Sequence, residues 1–184
     1  YLVMTATDIT ELKQRQLRLA ESERRISQAR AQLGQAIESM NEGFVLFDAD
    51  DTLVLCNSRF MEILAPLGDL VRPGAPFKTL LKAAIDKELI PASTEAPERW
   101  LAARLADHRD PRGPREIEYA DGRTIMLREA RIPDGGIVGI YSDITLRRRD
   151  ERALAESESR HRRLVEMAPD LICVVVDGVV RYIN

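Results

Sequence analysis

Ser142-Asp143-Ile144-Thr145 closes an apolar, β-rich run and opens a charged segment with helical periodicity. The pattern also stands at Thr7-Asp8-Ile9-Thr10, an offset of 135, again between an apolar stretch and a charged one. A second pair recurs at a different offset. Ile37-Glu38 through Phe44-Val45-Leu46 matches Val165-Glu166 through Ile172-Cys173-Val174 at 128. The offsets differ by 7, so the first charged segment is longer than the second by one heptad. Seven residues are the repeat of a two-stranded coiled coil, and an insertion of that length preserves rotational phase.

The repeat sets the expected layout. Tyr1 falls in the tail of one unit, and Asn184 aligns with Asn57 inside the start of another. The reading is a fragment of a longer protein. Residues 1–10 end a preceding unit, 11–33 form a linker and 34–145 a complete unit. Residues 146–165 form a second linker, and 166–184 begin a third unit. Any catalytic domain is expected outside this stretch.

The first linker predicts one helix over Asp8 to Met40. Leu12, Leu19, Ile26, Leu33 and Met40 form an unbroken series of d positions. The a positions, Ile9, Gln16, Glu23, Arg30 and Ile37, are apolar only at the ends. Each buried d side chain contributes about 1.5–3 kcal/mol, and the polar a positions forfeit much of the rest of the seam. The d series is narrow for a globular packing stripe, so a parallel homodimer is preferred over a lone helix lying on its own domain. The second linker, Thr145 to about Met167, carries Ile144, Arg147, Glu151, Leu154, Glu158, His161, Val165 and Ala168 in the same register. It is more polar still.

Between the linkers, Phe44–Asp48 and Thr52–Cys56 read as strands joined by an Asp-rich turn. Asn57-Ser58 starts a short helix, and Pro66–Pro76 reads as a loop. Phe77, Leu80, Leu81, Ala84, Ile85 and Leu89 follow helical spacing, and Glu98–His108 suggests a further helix carrying Trp100, Leu101 and Leu105. Arg115–Tyr119, Arg123–Ile132 and Gly136–Asp143 read as strands joined by Asp121-Gly122 and Asp134-Gly135-Gly136. The order β-β-α-α-α-β-β-β predicts an α+β domain with helices on one face of an antiparallel sheet.

Composition narrows the classes. The chain has 184 residues, 45% hydrophobic and 31% charged, which suits one core flanked by charged helices. A net charge of −3 leaves no basic footprint for nucleic acid. Cys56 and Cys173 read as strand residues of equivalent position, in keeping with a reducing compartment. The longest apolar run, Leu171 to Val176, is too short to span a bilayer. A cytoplasmic location is expected, with a membrane anchor left open for the parent chain.

These features resemble the PAS domain of bacterial signalling proteins. The resemblance is carried by Glu42-Gly43-Phe44-Val45-Leu46-Phe47-Asp48, by the strand ending in Cys56-Asn57, by the Asp-Gly hairpin and above all by Ser142-Asp143-Ile144-Thr145. It implies a PAS fold: a five-stranded antiparallel sheet with helices on one face, flanked by long coiled-coil signalling helices. It implies a non-catalytic sensory and dimerisation module, in a tandem array with neighbouring PAS domains. The array would relay signal to a C-terminal output domain, foremost an ATP-dependent histidine kinase in a two-component phosphorelay. The alternatives are a diguanylate cyclase or phosphodiesterase output, or a spacer that senses nothing and holds the dimer together.

The signal-coupling residues on this reading are Asp8, Ile9, Thr10, Asp143, Ile144 and Thr145. Asp143 and Thr145 carry oxygens suited to the free N–H groups of the outgoing helix. Asp8 and Glu11 have capping-box spacing. Ile144 is expected to pack on the sheet while the cap fixes the exit angle.

No cofactor is evident. His108 reads as peripheral, near a helix end before a turn, which argues against haem ligation. Asn57-Ser58-Arg59-Phe60 has Ser where a photoactive flavin domain has Cys, and it opens the wrong helix. Arg160-His161-Arg162-Arg163 lacks the acidic residue and downstream proline of a phosphoacceptor helix. Asp50-Asp51 reads as a solvated turn, and Arg147-Arg148-Arg149 as an exposed face free to pair with Asp150, Glu151 or the partner chain. No metal cluster or nucleophile–base arrangement is visible. A small-molecule ligand would meet Phe60, Leu64, Leu81, Ile85, Leu127 and Ile140, the same residues that a filled core would use.

Overall fold

The computed structural model describes residues 10–91, 96–166, 173–177 and 179–183. Period-two burial builds its sheet. In β1 (Gly43–Phe47), Gly43, Val45 and Phe47 are buried while Phe44 and Leu46 are half-buried. β2 (Leu53–Cys56) returns antiparallel to it. The turn between them closes on Asp48, whose Oδ1 accepts from the backbone N–H of Asp50 and of Thr52, both at 2.9 Å. β3 (Arg115–Glu118), β4 (Thr124–Arg131) and β5 (Ile137–Asp143) complete five antiparallel strands in the order β2-β1-β5-β4-β3.

That order makes the first and last strands of the domain central neighbours. Gly43 pairs with Tyr141 and Phe47 with Ile137. The chain therefore enters and leaves the domain at the same end of the sheet. The two backbones also come close at the other end, where a Cβ on Gly136 would sit 2.5 Å from the Phe47 carbonyl oxygen. Only glycine fits there.

Short helices supply the other half of the core: α2 (Ser58–Ile63), α3 (Phe77–Asp86) and α4 (Pro97–Arg109). Phe60, Ile63, Phe77, Leu80, Leu81 and Ala84 are buried with the inward residues Val45, Phe47, Ile125 and Leu127. The expected loop at Pro66–Pro76 is replaced in its first half by a 3-10 turn, Ala65–Leu70. Pro66 starts that turn, and Leu67, 3% exposed, anchors it in the core.

Two long helices flank the domain, α1 (Thr10–Glu38) and α5 (Thr145–Glu166). Leu19, Ile26 and Leu33 of α1 are 64%, 52% and 65% exposed, so this face of the helix does not lie on its own domain. A separate hairpin, β6 (Cys173–Val176) with β7 (Val179–Ile183), follows α5. Among the described residues no helix is long and apolar enough to cross a membrane.

Candidate functional site

Asn57 ties the incoming helix to the domain. It is fully buried and caps α2, its Oδ1 accepting from Phe60 N at 3.0 Å. The same oxygen accepts from Phe44 N at 2.8 Å. Its Nδ2 donates to the carbonyl of Ile37, in the last turn of α1, at 3.0 Å and to that of Glu42 at 2.9 Å. A carboxamide offers two donor hydrogens and two acceptor lone pairs, and all four are used. Beside it, the Glu38 carboxylate accepts from the hydroxyl and the backbone N–H of Ser58.

The outgoing helix is fixed from the other side. Ser142 in β5 donates its hydroxyl to the carboxylate of Glu42. Asp143 Oδ1 accepts from Thr145 N at 3.0 Å and from Thr145 Oγ1 at 2.5 Å. Partial burial alone would raise the Asp143 carboxyl, but the Thr145 bonds outweigh it and hold the group below the ordinary carboxylate range. Thr145 departs from its expected role. Its Oγ1 does not cap the helix but accepts from Thr124 N at 2.9 Å, which bolts α5 to the start of β4. Ile144 is half-buried, and its carbonyl accepts the N–H of Arg148.

Arg148 also reaches the sheet, pairing with Glu116 of β3 as well as with Glu151. Arg152 lies 3.4 Å from Glu118 of the same strand. Alternation puts both glutamates on one face of β3, along the path of α5. Such exposed pairs contribute little to stability. Asp8 and Ile9 lie outside the described residues, and of Thr10 and Leu12 only the helical backbone is described. Of the remaining seam residues, Leu19, Ile26 and Leu33 are exposed and Met40 is half-buried.

Between sheet and helices lies a cavity of about 40 Å³. Phe60, Leu64 and Leu81 line it. Leu127 is part of the packed core instead, only 1% exposed. Ile85 and Ile140 are corrected to other places. Ile85 turns toward the outer surface of α3, beside Pro97 and Leu101. Ile140 alternates with the buried Gly139 and Tyr141 and so faces the opposite side of the sheet.

The residues that sequence reasoning missed are polar. Arg104, 3% exposed, lines the cavity and places its Nη2 2.6 Å from Glu129 Oε1. His108, far from peripheral, is fully buried. Its ring stacks on Phe77 at 3.7 Å, and its Nδ1 lies 2.6 Å from the same Glu129 oxygen. An ionised carboxylate only accepts, so Nδ1 carries the proton. Burial alone would raise the Glu129 carboxyl, but the bonds from His108 and Arg104 outweigh it and hold the group below its ordinary value. Asp51, placed by sequence in a solvated turn, has φ +58° and its side chain is 19% exposed. It pairs with Arg109 at 3.1 Å and lies 3.8 Å from His108 Nε2.

The signal was present as register. Trp100, Arg104 and His108 stand four apart on one face of α4, and Glu129 shares the inward parity of Ile125 and Leu127. Two basic groups on an inward helix stripe, opposite one inward acid, form a complementary set.

Residues 37–152 match a family model described as PAS fold. Over 147 residues, 76% of this chain, the sequence is 33% identical to the non-motile and phage-resistance protein of Caulobacter vibrioides. The chain spans 16% of that protein's length. Similar solved structures include the PAS domain of an HTR-like protein from Haloarcula marismortui, at 20% identity and a TM-score of 0.44, covering 68% of this chain and 99% of that one. The PAS domain of Bordetella pertussis BvgS is 19% identical with a TM-score of 0.40, covering 72% of this chain and 98% of that one.

Proposed function

We propose, from the premise that this chain belongs to the PAS family, that its domain is a relay and dimerisation module of a longer signalling protein. It takes a movement of α1 and passes it to α5 without slack. The observation that carries this reading is the hydrogen-bonded path from the last turn of α1 through Asn57 and Glu42 to Ser142, next to the cap of α5. Every link in it is a side chain bridging two elements, so rotation of one helix loads the other. The homodimer forms through the Leu19, Ile26 and Leu33 seam, whose exposure in a single chain supports a partner. The repeated motifs at 7–10 and 142–145 support a tandem array of such domains. The proposed output domain is a histidine kinase of a two-component phosphorelay, on the family resemblance.

Linker phase tests the relay. The spacers from Asp8 to Glu38 and from Asp143 to Glu166 are 30 and 23 residues long, and 30 − 23 = 7. Seven residues add about 10.5 Å of helix but rotate its exit by only about 20°, whereas one residue rotates it by about 100°. Deleting Glu21 to Ser27 in the parent protein leaves output near normal. Deletions of two, three or four residues at the same place lock it high or low. A smooth decline with length, without recovery at seven, would refute the relay.

A further inference from the structure

His108 is buried with one ring nitrogen bonded and the other bare. Its Nδ1–H donates to Glu129 Oε1 at 2.6 Å. The ring is held by Phe77, stacked at 3.7 Å, and by Phe47, edge-on at 5.2 Å. Nε2 is buried and has no hydrogen-bond partner in the protein. With the proton on Nδ1, Nε2 is an acceptor, and it faces Asp51 Oδ1, another acceptor, 3.8 Å away. A buried acceptor without a donor is destabilising, and here two acceptors face each other. The contact is one proton short of a hydrogen bond.

We infer that His108 and Asp51 form a proton-operated latch: in mild acid a solvent proton binds Nε2, and the new N–H draws the Asp51 carboxylate onto the ring, tightening the β1–β2 turn against α4. The step adds one proton to one lone pair, and imidazole is the side chain suited to taking it between roughly pH 5 and 8. Asp51 gives that proton a route, since its side chain is 19% exposed yet reaches the buried ring. Closure needs about 1 Å, from 3.8 Å to the roughly 2.8 Å of a charge-assisted bond. Asp51 is the partner that moves, because Glu129 and Phe77 fix the ring. Its backbone carries the movement onward. Asp51 N donates to the Asp48 carbonyl at 3.1 Å, and the Asp51 carbonyl accepts from Phe77 N, at the start of α3, at 2.8 Å.

Charged and titratable groups surround the ring on every side. From α4 come Arg104, paired with Glu129, and Arg109, 3.1 Å from Asp51 Oδ2. From β4 come Glu129 itself and Arg131, which donates to the Arg109 carbonyl. The turn adds Asp48, whose Oδ1 is spent on the turn's own N–H groups, and Asp50, beside Asp51 at the surface. From β5 comes Tyr141, hydrogen-bonded to Arg104. β1 and α3 present only Phe47 and Phe77. Glu129 stays ionised, because burial, which would raise its carboxyl, is outweighed by the bonds from His108 and Arg104. Tyr141 stays neutral, its phenol pushed up to about 12 by burial. His108 is the buried member of this cluster left to change charge.

The chain has two histidines, and His161 is exposed on α5, so it serves as an internal reference. Imidazole nitrogen shifts and backbone amide shifts of the isotope-labelled 184-residue chain are followed from about pH 8 to about pH 5. The neutral form of His108 should be the Nδ1–H tautomer. One proton should arrive at Nε2 in that range, and the amides of Asp51, Thr52 and Phe77 should move with the same midpoint. His161 should titrate without moving them. Asp51→Asn, which keeps a residue tolerant of φ +58°, should shift the His108 midpoint to lower pH by about one unit and uncouple the turn amides from it. Arg109→Gln, at an exposed side chain, should shift the midpoint the other way. Should Asp51→Asn not fold, Arg109→Gln and the unaltered chain decide. The latch is overturned by an Nε2–H tautomer in the neutral form, by no proton uptake at His108 down to about pH 5, or by turn amides that do not follow His108. A midpoint that neither variant moves overturns it equally.

Discussion

Ser142 donates its hydroxyl to the carboxylate of Glu42, 100 residues earlier in the chain. The bond spans the place where the domain is entered and left, because Gly43 and Tyr141 are paired neighbours. Ser142→Ala and Glu42→Ala should therefore be non-additive in urea unfolding, with a coupling energy of about 0.5–1.5 kcal/mol. Additive costs would show that the contact carries no energy and that the two helices are joined elsewhere.

Asn57→Ala removes four hydrogen bonds, among them the one to the backbone N–H of Phe44 and the one to the carbonyl of Ile37. Its cost should be at least about 2 kcal/mol. Asn57→Asp should be no better, since a carboxylate cannot donate to the carbonyls of Ile37 and Glu42. Hydrogen exchange should then rise in the last turn of α1 before it rises in β4. Simultaneous loss of protection in both would make Asn57 a core residue with no local role at the junction.

Acid sensitivity follows from Glu129. Its carboxyl is held below the ordinary value in the folded chain, while in the unfolded chain it returns to about 4.3. Between the two values the unfolded state binds the extra proton, so stability rises with pH across that window. The contribution is full above about pH 4.3 and is lost as pH falls through the lower, folded value. Glu129→Gln should be less stable near neutrality and lose less on acidification. Urea midpoints measured from about pH 7 to about pH 3 would check this, and parallel profiles for the two proteins would contradict it.

Leu19→Lys with Ile26→Lys puts charge at two exposed apolar positions of α1. Neither side chain is part of the domain core, so near-ultraviolet circular dichroism of the domain should be unchanged. Sedimentation should show the dimer dissociating. An unaltered dimer mass would move the interface off this seam.

Gly136→Ala tests the packing beneath the relay. The added Cβ would meet the Phe47 carbonyl oxygen at 2.5 Å, and neither backbone can move without breaking the β1–β5 ladder. A loss of about 1–3 kcal/mol is expected in denaturant unfolding. Wild-type stability would show that the strands separate there at no cost.

Local chemistry made most of the architecture legible in the sequence. Alternation in Gly43–Phe47 and Ile137–Asp143, the Asp-Gly turns and the spacing of Phe77, Leu80, Leu81 and Ala84 act over a few residues, so each can be read in place. Tertiary structure decided what depends on residues far apart in the chain. Asn57 looks like an ordinary helix cap until Ile37 and Glu42 come within reach of its amide. His108 looks peripheral, at a helix end before a turn, until the sheet brings Glu129 to meet both it and Arg104. Ile140 looks like a core residue until strand parity turns it to the opposite face. A polar side chain is driven inward only by a partner that offsets its desolvation, and that partner is set by the pairing of strands and helices, not by the neighbouring sequence.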